Sequence, residues 1–217
     1  MTPPTVSLEL SSADARRVRW RRFAVDSPAL EPLAHPLWVA CAWDQQPLGG
    51  LIARCDQRLD CALSRQQMAG RLSLILGEVT LVGAAHRLAG AHLLVLGLGT
   101  PEAFDSSVAD AIGSEAADRV HKLGHAHYAL EVPWAPDRAG PEAIAVAAAF
   151  VSAHVRRRLE LLGRGGALSV TWLLPQNVPL VSGGHPGRPG RKRRKNLWTR
   201  RHQRVRRVVF FRHRRKK

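Results

Sequence analysis

His92-Leu93-Leu94-Val95-Leu96-Gly97-Leu98-Gly99-Thr100-Pro101 is the stretch from which the fold of this chain is read. Residues 92–96 form a short, nearly continuous apolar run, as expected of a strand covered on both faces. Gly97 and Gly99 then allow a tight turn. Thr100 has the side chain of an N-cap, and Pro101 suits the first helical position because its missing N–H costs nothing there. The helix so predicted runs to about Leu123 and ends at Gly124. A strand passing through a glycine turn into a helix is half of an α/β unit.

The same alternation extends in both directions. Upstream, residues 78–82 read as a second short strand, and residues 37–43 (Leu-Trp-Val-Ala-Cys-Ala-Trp) as a fully buried one. Between them, Leu51, Ile52, Cys55, Leu59 and Leu63 fall at helical spacings, so one helix is predicted over residues 51–68, with Gly70 just beyond its end. Val6, Leu8 and Leu10 alternate with polar residues as a first strand, ahead of a basic run at residues 16–22. Downstream, residues 128–132 read as a strand. Ile144, Ala148, Val151, Val155, Leu159 and Leu162 mark a helix over residues 142–162, and residues 168–174 a last strand closed by Pro175. Strands alternating with helices imply a largely parallel or mixed sheet.

Charge divides the chain differently. The first 175 residues carry 17 basic and all 17 acidic side chains, whereas residues 176–217 carry 16 basic side chains and no acid, the whole net charge of +16. The expected organisation is therefore a neutral folded body over residues 1–175, a Gly/Pro linker over 176–190 and a basic, mostly disordered tail over 191–217. The tail's candidate nucleic-acid-binding residues are Arg191, Lys192, Arg193, Arg194, Lys195, Arg200, Arg201, Arg204, Arg206, Arg207, Arg212, Arg214, Arg215, Lys216 and Lys217, interleaved with Trp198, Phe210 and Phe211. Arginine clusters neutralise phosphates and release counterions, and aromatic rings stack on unpaired bases. Two blander readings stand beside this one: a solvated extension, and an arginine-rich composition without a function. Nucleic acid or another polyanion is the expected partner, and an acidic membrane surface a lesser one.

Other features are weaker. Gly97, Leu98, Gly99 and Thr100 form a candidate phosphate loop at a strand-to-helix turn. A dinucleotide fingerprint would need a glycine where Glu102 stands, and the structural reading, a tight turn below a helix, is preferred. His121, His125 and His127 are the only histidine cluster, but they straddle the predicted helix end, so no metal site is assigned. Ser64, Ser106 and Ser169 lack a nucleophile context, and no cofactor is expected. The three cysteines, Cys41, Cys55 and Cys61, contain no CxxC pair and fit reduced thiols. With no apolar run near 20 residues and no secretory pattern at the start, the expected location is cytoplasmic.

The order Gln46-Pro47-Leu48-Gly49-Gly50-Leu51, Asp56-Gln57-Arg58-Leu59-Asp60-Cys61-Ala62-Leu63-Ser64-Arg65, Gly77-Glu78-Val79-Thr80-Leu81-Val82, Leu93-Leu94-Val95-Leu96-Gly97-Leu98-Gly99 and Glu102-Ala103-Phe104 resembles the N-terminal domain of leucyl aminopeptidases over about residues 35–175. The resemblance implies a macro-like three-layer α/β/α sandwich. It keeps an ADP-ribose-type ligand as a minor option, and implies a homo-oligomer or aminopeptidase subunits as further partners. The family's catalysis lies in a separate C-terminal domain with two metal ions and the signature Asn-Thr-Asp-Ala-Glu-Gly-Arg. That signature is absent here, and no acidic residue follows Glu160. Two hard cations need several oxygen ligands, so the expected role is a non-catalytic binding module, with an aminopeptidase remnant as the least favoured reading.

Overall fold

The hydrophobic pattern of the central strand sets the layering. In a computed structural model, which describes residues 6–8, 12–25, 35–83, 88, 92–135, 140–175, 178 and 180–182, β3 (Leu37–Ala42) is buried at every position. Leu37, Val39 and Cys41 belong to one apolar cluster, and Trp38, Ala40 and Ala42 to another. The period of two thus feeds two cores, one on each face of the sheet, and explains why the run shows no polar alternation.

The chain order is β1 (Val6–Leu8), α1 (Ser12–Arg17), β2 (Val18–Ala24), β3, α2 (Gly50–Arg58), α3 (Ala62–Met68), β4 (Val79–Gly83), β5 (His92–Gly97), α4 (Ser106–Lys122), β6 (His127–Glu131), α5 (Pro141–Leu162), β7 (Leu168–Leu174) and β8 (Leu180–Ser182). Six strands form one sheet in the order β2-β7-β6-β3-β5-β4. All pairs are parallel except β4 with β5, where Leu81 faces Leu94. Helices α2 and α3 cover one face through Leu51, Ile52, Cys55 and Leu63. Helices α4 and α5 cover the other through Ile112, Ala116, Val120, Phe150, Val151 and Val155. This is a three-layer α/β/α sandwich with a mixed sheet.

Helices α4 and α5 approach closely at Gly113, where an added Cβ would collide with the carbonyl of Phe150. The same glycine's carbonyl accepts from His154 Nδ1 (3.1 Å), which leaves Nε2 to accept from the Tyr128 hydroxyl (2.6 Å). Burial holds His154 down to about 3, so the ring is neutral and the chain of bonds is closed. Arg17, at the end of α1, reaches the last turn of α5, donating to the carbonyls of Leu159 (3.2 Å), Gly163 and Gly166 (3.1 Å). Of these, the Leu159 carbonyl lies in the last turn of α5, where a helix leaves carbonyls without intrahelical partners.

Two local expectations are corrected, and one strand that the sequence reading did not assign is added. The basic run at residues 16–22 is structured, as the end of α1 and the start of β2, whose parallel partner is β7. Its alternation was hidden because the strand sits at an edge with Arg19 and Arg21 exposed, a common protection of a sheet edge. The single helix predicted over residues 51–68 is two, because Asp60 and Cys61 adopt left-handed φ values of 54° and 57°. Asp56, buried at the end of α2, makes this break favourable: its carboxylate accepts from the amides of Leu63 (2.7 Å) and Ser64 (3.2 Å) and from the Ser64 hydroxyl. It therefore caps α3 from the preceding helix. Replacing Asp56 with Ala removes that cap and leaves buried donors unpaired, and we expect a loss of about 2 kcal/mol in urea unfolding. An unchanged midpoint would contradict the capping role. Finally, Thr100 and Pro101 open a 3₁₀ turn (Pro101–Ala103) rather than the helix. The N-cap of α4 is Asp105, whose Oδ1 accepts from Ser107 N (2.8 Å) and Val108 N (2.9 Å).

The described chain continues past Pro175 into β8, which pairs in parallel with β1 through Val6 and Leu180. The chain divides after His185, and Pro186–Lys217 lie outside the described residues. Among the described residues, no helix is long and apolar enough to cross a membrane.

Candidate functional site

In a sheet of this kind ligands sit beyond the carboxyl ends of the strands, where successive connections leave in opposite directions. From β3 the chain moves through α2 and α3 toward β4 and β5, whereas from β6 it moves through α5 to β7. Strands β3 and β6 are hydrogen-bonded neighbours, so the switch point lies between their carboxyl ends. A small hollow of about 10 Å³, room for a single water, opens on this crest. Its walls are Trp43 after β3, Pro101 and Phe104 after β5, Trp134 after β6, and Ala143 and Val146 from the first turns of α5. The Trp43 and Phe104 rings meet edge to face, with centroids 5.1 Å apart. Trp43 Nε1 donates to the carbonyl of Trp134 (3.3 Å), which ties two walls together.

Glu131, the last residue of β6, lies buried beside this crest. Its Oε1 accepts from Leu51 N at the start of α2 (2.8 Å), and its Oε2 from Cys41 N (3.1 Å). The carboxyl group thus takes the position where the exposed amides of a helix N-terminus would otherwise meet an external anion. Gly50 is required here on two counts. Its φ is +62°, and a Cβ would collide with Glu131 Oε1. Burial pushes the Glu131 carboxyl up to about 8, against the opposing pull of the Leu51 and Cys41 amides.

The candidate phosphate loop occupies the same crest. Gly97 N donates to Glu78 O (2.8 Å), Leu98 N to Ala42 O (2.9 Å) and Gly99 N to Leu74 O (2.9 Å). Three of its amides are therefore paired with the protein's own carbonyls. Gly97 admits the backbone of Leu74 and Ile75, which a side chain would displace, and Gly99 turns the chain at φ +66°. Thr100 is exposed at the end of the loop.

The histidines are elsewhere. His125 and His127 precede or open β6 at the amino end of the sheet, and His121 is exposed on the last turn of α4. The His125 ring lies 6.3 Å from that of His92, and burial, then His92, lowers its pKa. Among the described residues no group of three or more His, Cys, Asp or Glu is placed to hold a metal ion. Ser64 serves the Asp56 cap, Ser106 starts α4 and Ser169 lies within β7. The candidate tail residues, Arg191 to Lys217, fall outside the described residues. Sequence reasoning missed Glu131 and Trp134. The available signal was a lone carboxylate in the apolar run Tyr128-Ala129-Leu130-Glu131-Val132.

No family model matches the chain, and no curated protein does. Among solved structures it is similar to a variant of tomato leucine aminopeptidase, at 16% identity and a TM-score of 0.51, over 87% of this chain and 35% of the tomato chain. It is also similar to a variant macrodomain of Oceanobacillus iheyensis (12% identity, TM-score 0.49, 74% of this chain and 86% of that one). A third is the macrodomain of Mycobacterium tuberculosis DarG (15% identity, TM-score 0.47, 70% and 97%). The chain spans about a third of the aminopeptidase it resembles. Sheet order, layering and this likeness together give it the macro-like α/β fold of a leucine aminopeptidase N-terminal domain.

Proposed function

We propose that the protein is a non-catalytic binding module in two parts: a macro-like domain that takes a small ligand over its crest, and a cationic tail that holds nucleic acid or another polyanion. The charge distribution carries the second part, since all 16 surplus positive charges fall within Pro186–Lys217 and no acid accompanies them. Such a segment attracts polyanions with little sequence preference. The first part rests on the switch point between β3 and β6, where the aromatic side chains of Trp43, Phe104 and Trp134 come together.

The experiment for the tail is a comparison of the full chain with one ending at His185, which keeps the β8 pairing with β1. Binding to a fluorescent single-stranded oligonucleotide is read by anisotropy near 150 mM salt. We expect the shortened chain to lose binding, and equal affinities would remove the tail from the function. A cytoplasmic location fits this reading. The alternative, an assembly partner of aminopeptidase subunits, predicts co-migration with a hexameric aminopeptidase on gel filtration. Aminopeptidase activity itself is not carried over, because the metal-binding signature has no counterpart in this sequence.

A further inference from the structure

The two edges of the six-stranded sheet are built differently. At one, β2 exposes Arg19 and Arg21, charges that oppose pairing with a further strand. At the other, β4 reads Val79-Thr80-Leu81-Val82-Gly83, with no charge and no proline. Among the described residues β4 has one neighbour in the sheet, β5.

The direction of its unpaired backbone groups follows from β5. Gly97 N donates to Glu78 O (2.8 Å) and Gly97 O accepts from Gly77 N (3.0 Å), whereas the next amide, Leu98 N, turns the other way to Ala42 O of β3 (2.9 Å). Bonding alternates along an antiparallel pair, so Val95 and Leu93 bond to their partners Thr80 and Val82. The amides and carbonyls of Val79, Leu81 and Gly83 then point away from the sheet.

Apolar surface gathers along the same edge. Among the described residues, the exposed large hydrophobics are Met68 (67%), Ile75 (60%), Leu76 (41%) and Leu81 (47%), all between residues 68 and 81. The Ile75 carbonyl passes close to Gly97, and Leu76 lies against Gly99, so these two extend the edge beyond the start of β4. On the α3 side an open groove of about 450 Å³ runs beside the strand, with Leu59, Leu63, Leu72, Thr80 and Val82 among its walls. An uncharged edge beside exposed apolar surface is the signature of a contact with another chain.

We propose that this edge joins two copies of the protein, which pair β4 with β4 in antiparallel fashion across a two-fold axis at Leu81. The arginines of β2 bar a head-to-tail contact between β4 and β2, so the edge closes on itself. The register with Leu81 opposite Leu81 aligns all of β4: Val79 faces Gly83, and Thr80 faces Val82, of the other copy. No charges meet within the paired strands, and the two flanking Glu78 side chains stand roughly 20 Å apart, well beyond a Debye length at physiological salt. The bodies themselves do not repel, since residues 1–175 carry equal numbers of basic and acidic side chains. The two-fold axis preserves the faces of the sheet. The two Leu81 side chains therefore lie side by side, and Thr80 and Val82 of each copy extend the groove wall of the other. The two six-stranded sheets become one continuous sheet.

The test is sedimentation velocity of the full-length protein, cleared of nucleic acid, at about 300 mM salt to screen the tail. A reversible dimer is expected as the concentration rises through the micromolar range. Leu81→Lys sets two ammonium groups opposite each other and should raise the dimer dissociation constant at least tenfold. Its thermal transition should be unchanged, because Leu81 is half-exposed. Leu81→Cys in a Cys61→Ser background, where the remaining thiols Cys41 and Cys55 are buried, should cross-link the two copies under mild oxidation. That variant decides the matter if the lysine variant does not fold. A monomer at every concentration overturns the proposal, as when the chain's own tail covers the edge. A dimer that Leu81→Lys leaves intact, or that Leu81→Cys fails to join, uses another surface and overturns it equally.

Discussion

Affinity of the full-length protein for a single-stranded oligonucleotide is expected to fall about 10³- to 10⁵-fold between 50 and 200 mM salt, as follows if the tail engages roughly 6 to 10 phosphates. The source is counterion release, so the slope of log affinity against log salt counts neutralised phosphates. Residues 176–217 hold 16 basic side chains and no acid, enough to supply that number. Trp198, Phe210 and Phe211 add a second, separable contribution. If their rings stack on unpaired bases, single strands bind better than duplex. Replacing all three by Ala should remove that preference and leave the salt slope nearly intact, because the charges are unchanged. A shallow slope equivalent to one or two phosphates would show that the tail does not act as a polyanion clamp.

The second large effect concerns Glu131 and pH. Its carboxyl titrates near 8 in the folded protein against an ordinary 4.5, and burial is the chief cause. A raised acid binds its proton more tightly folded than unfolded. Stability from this group is therefore full below about 4.5 and is lost as pH rises through about 8. At about 1.4 kcal/mol per pKa unit, the loss amounts to several kcal/mol. Glu131→Gln has no such titration. Its amide nitrogen must instead face one of two backbone donors, Cys41 N or Leu51 N, which costs about 1–3 kcal/mol. The variant should be the less stable protein at pH 5 and should equal or exceed the wild type at pH 9, measured by urea unfolding. A stability difference that stays constant from pH 5 to 9 would mean that Glu131 titrates normally. The neighbouring thiols do not obscure this reading. Burial and then Glu131 raise Cys41, and the same two causes, in that order, push Cys55 up to about 12; the loss of stability as the unfolded thiols ionise near pH 9 is common to wild type and variant and largely cancels in their difference.

These two expectations rest on different layers of information. The sequence alone determined the α/β class, the strands at the centre of the sheet and the two long helices α4 and α5, because continuous apolar runs and a 3.6-residue period are local signals. It also determined where the charge lies, since that depends only on composition along the chain. Tertiary structure decided the rest. Edge strand β2 was illegible because its exposed arginines broke the apolar pattern that marks a buried strand. The break between α2 and α3 depended on Asp56 reaching forward to cap the next helix. The true cap of α4, Asp105, lay five residues past the more conspicuous Thr100-Pro101 pair.

The site shows the same division. A glycine loop beside a helix reads as a phosphate cradle only while its amides are taken to be free. Whether they are free depends on Glu78, Ala42 and Leu74, residues remote in sequence that only folding brings to the loop. The aromatic cavity likewise joins Trp43, Phe104 and Trp134 from three separate connections, and Glu131 meets Leu51 across 80 residues of chain. Periodicity and composition are properties of neighbours along the chain. Hydrogen-bond satisfaction and cavity shape are properties of neighbours in space, which the sheet order alone creates.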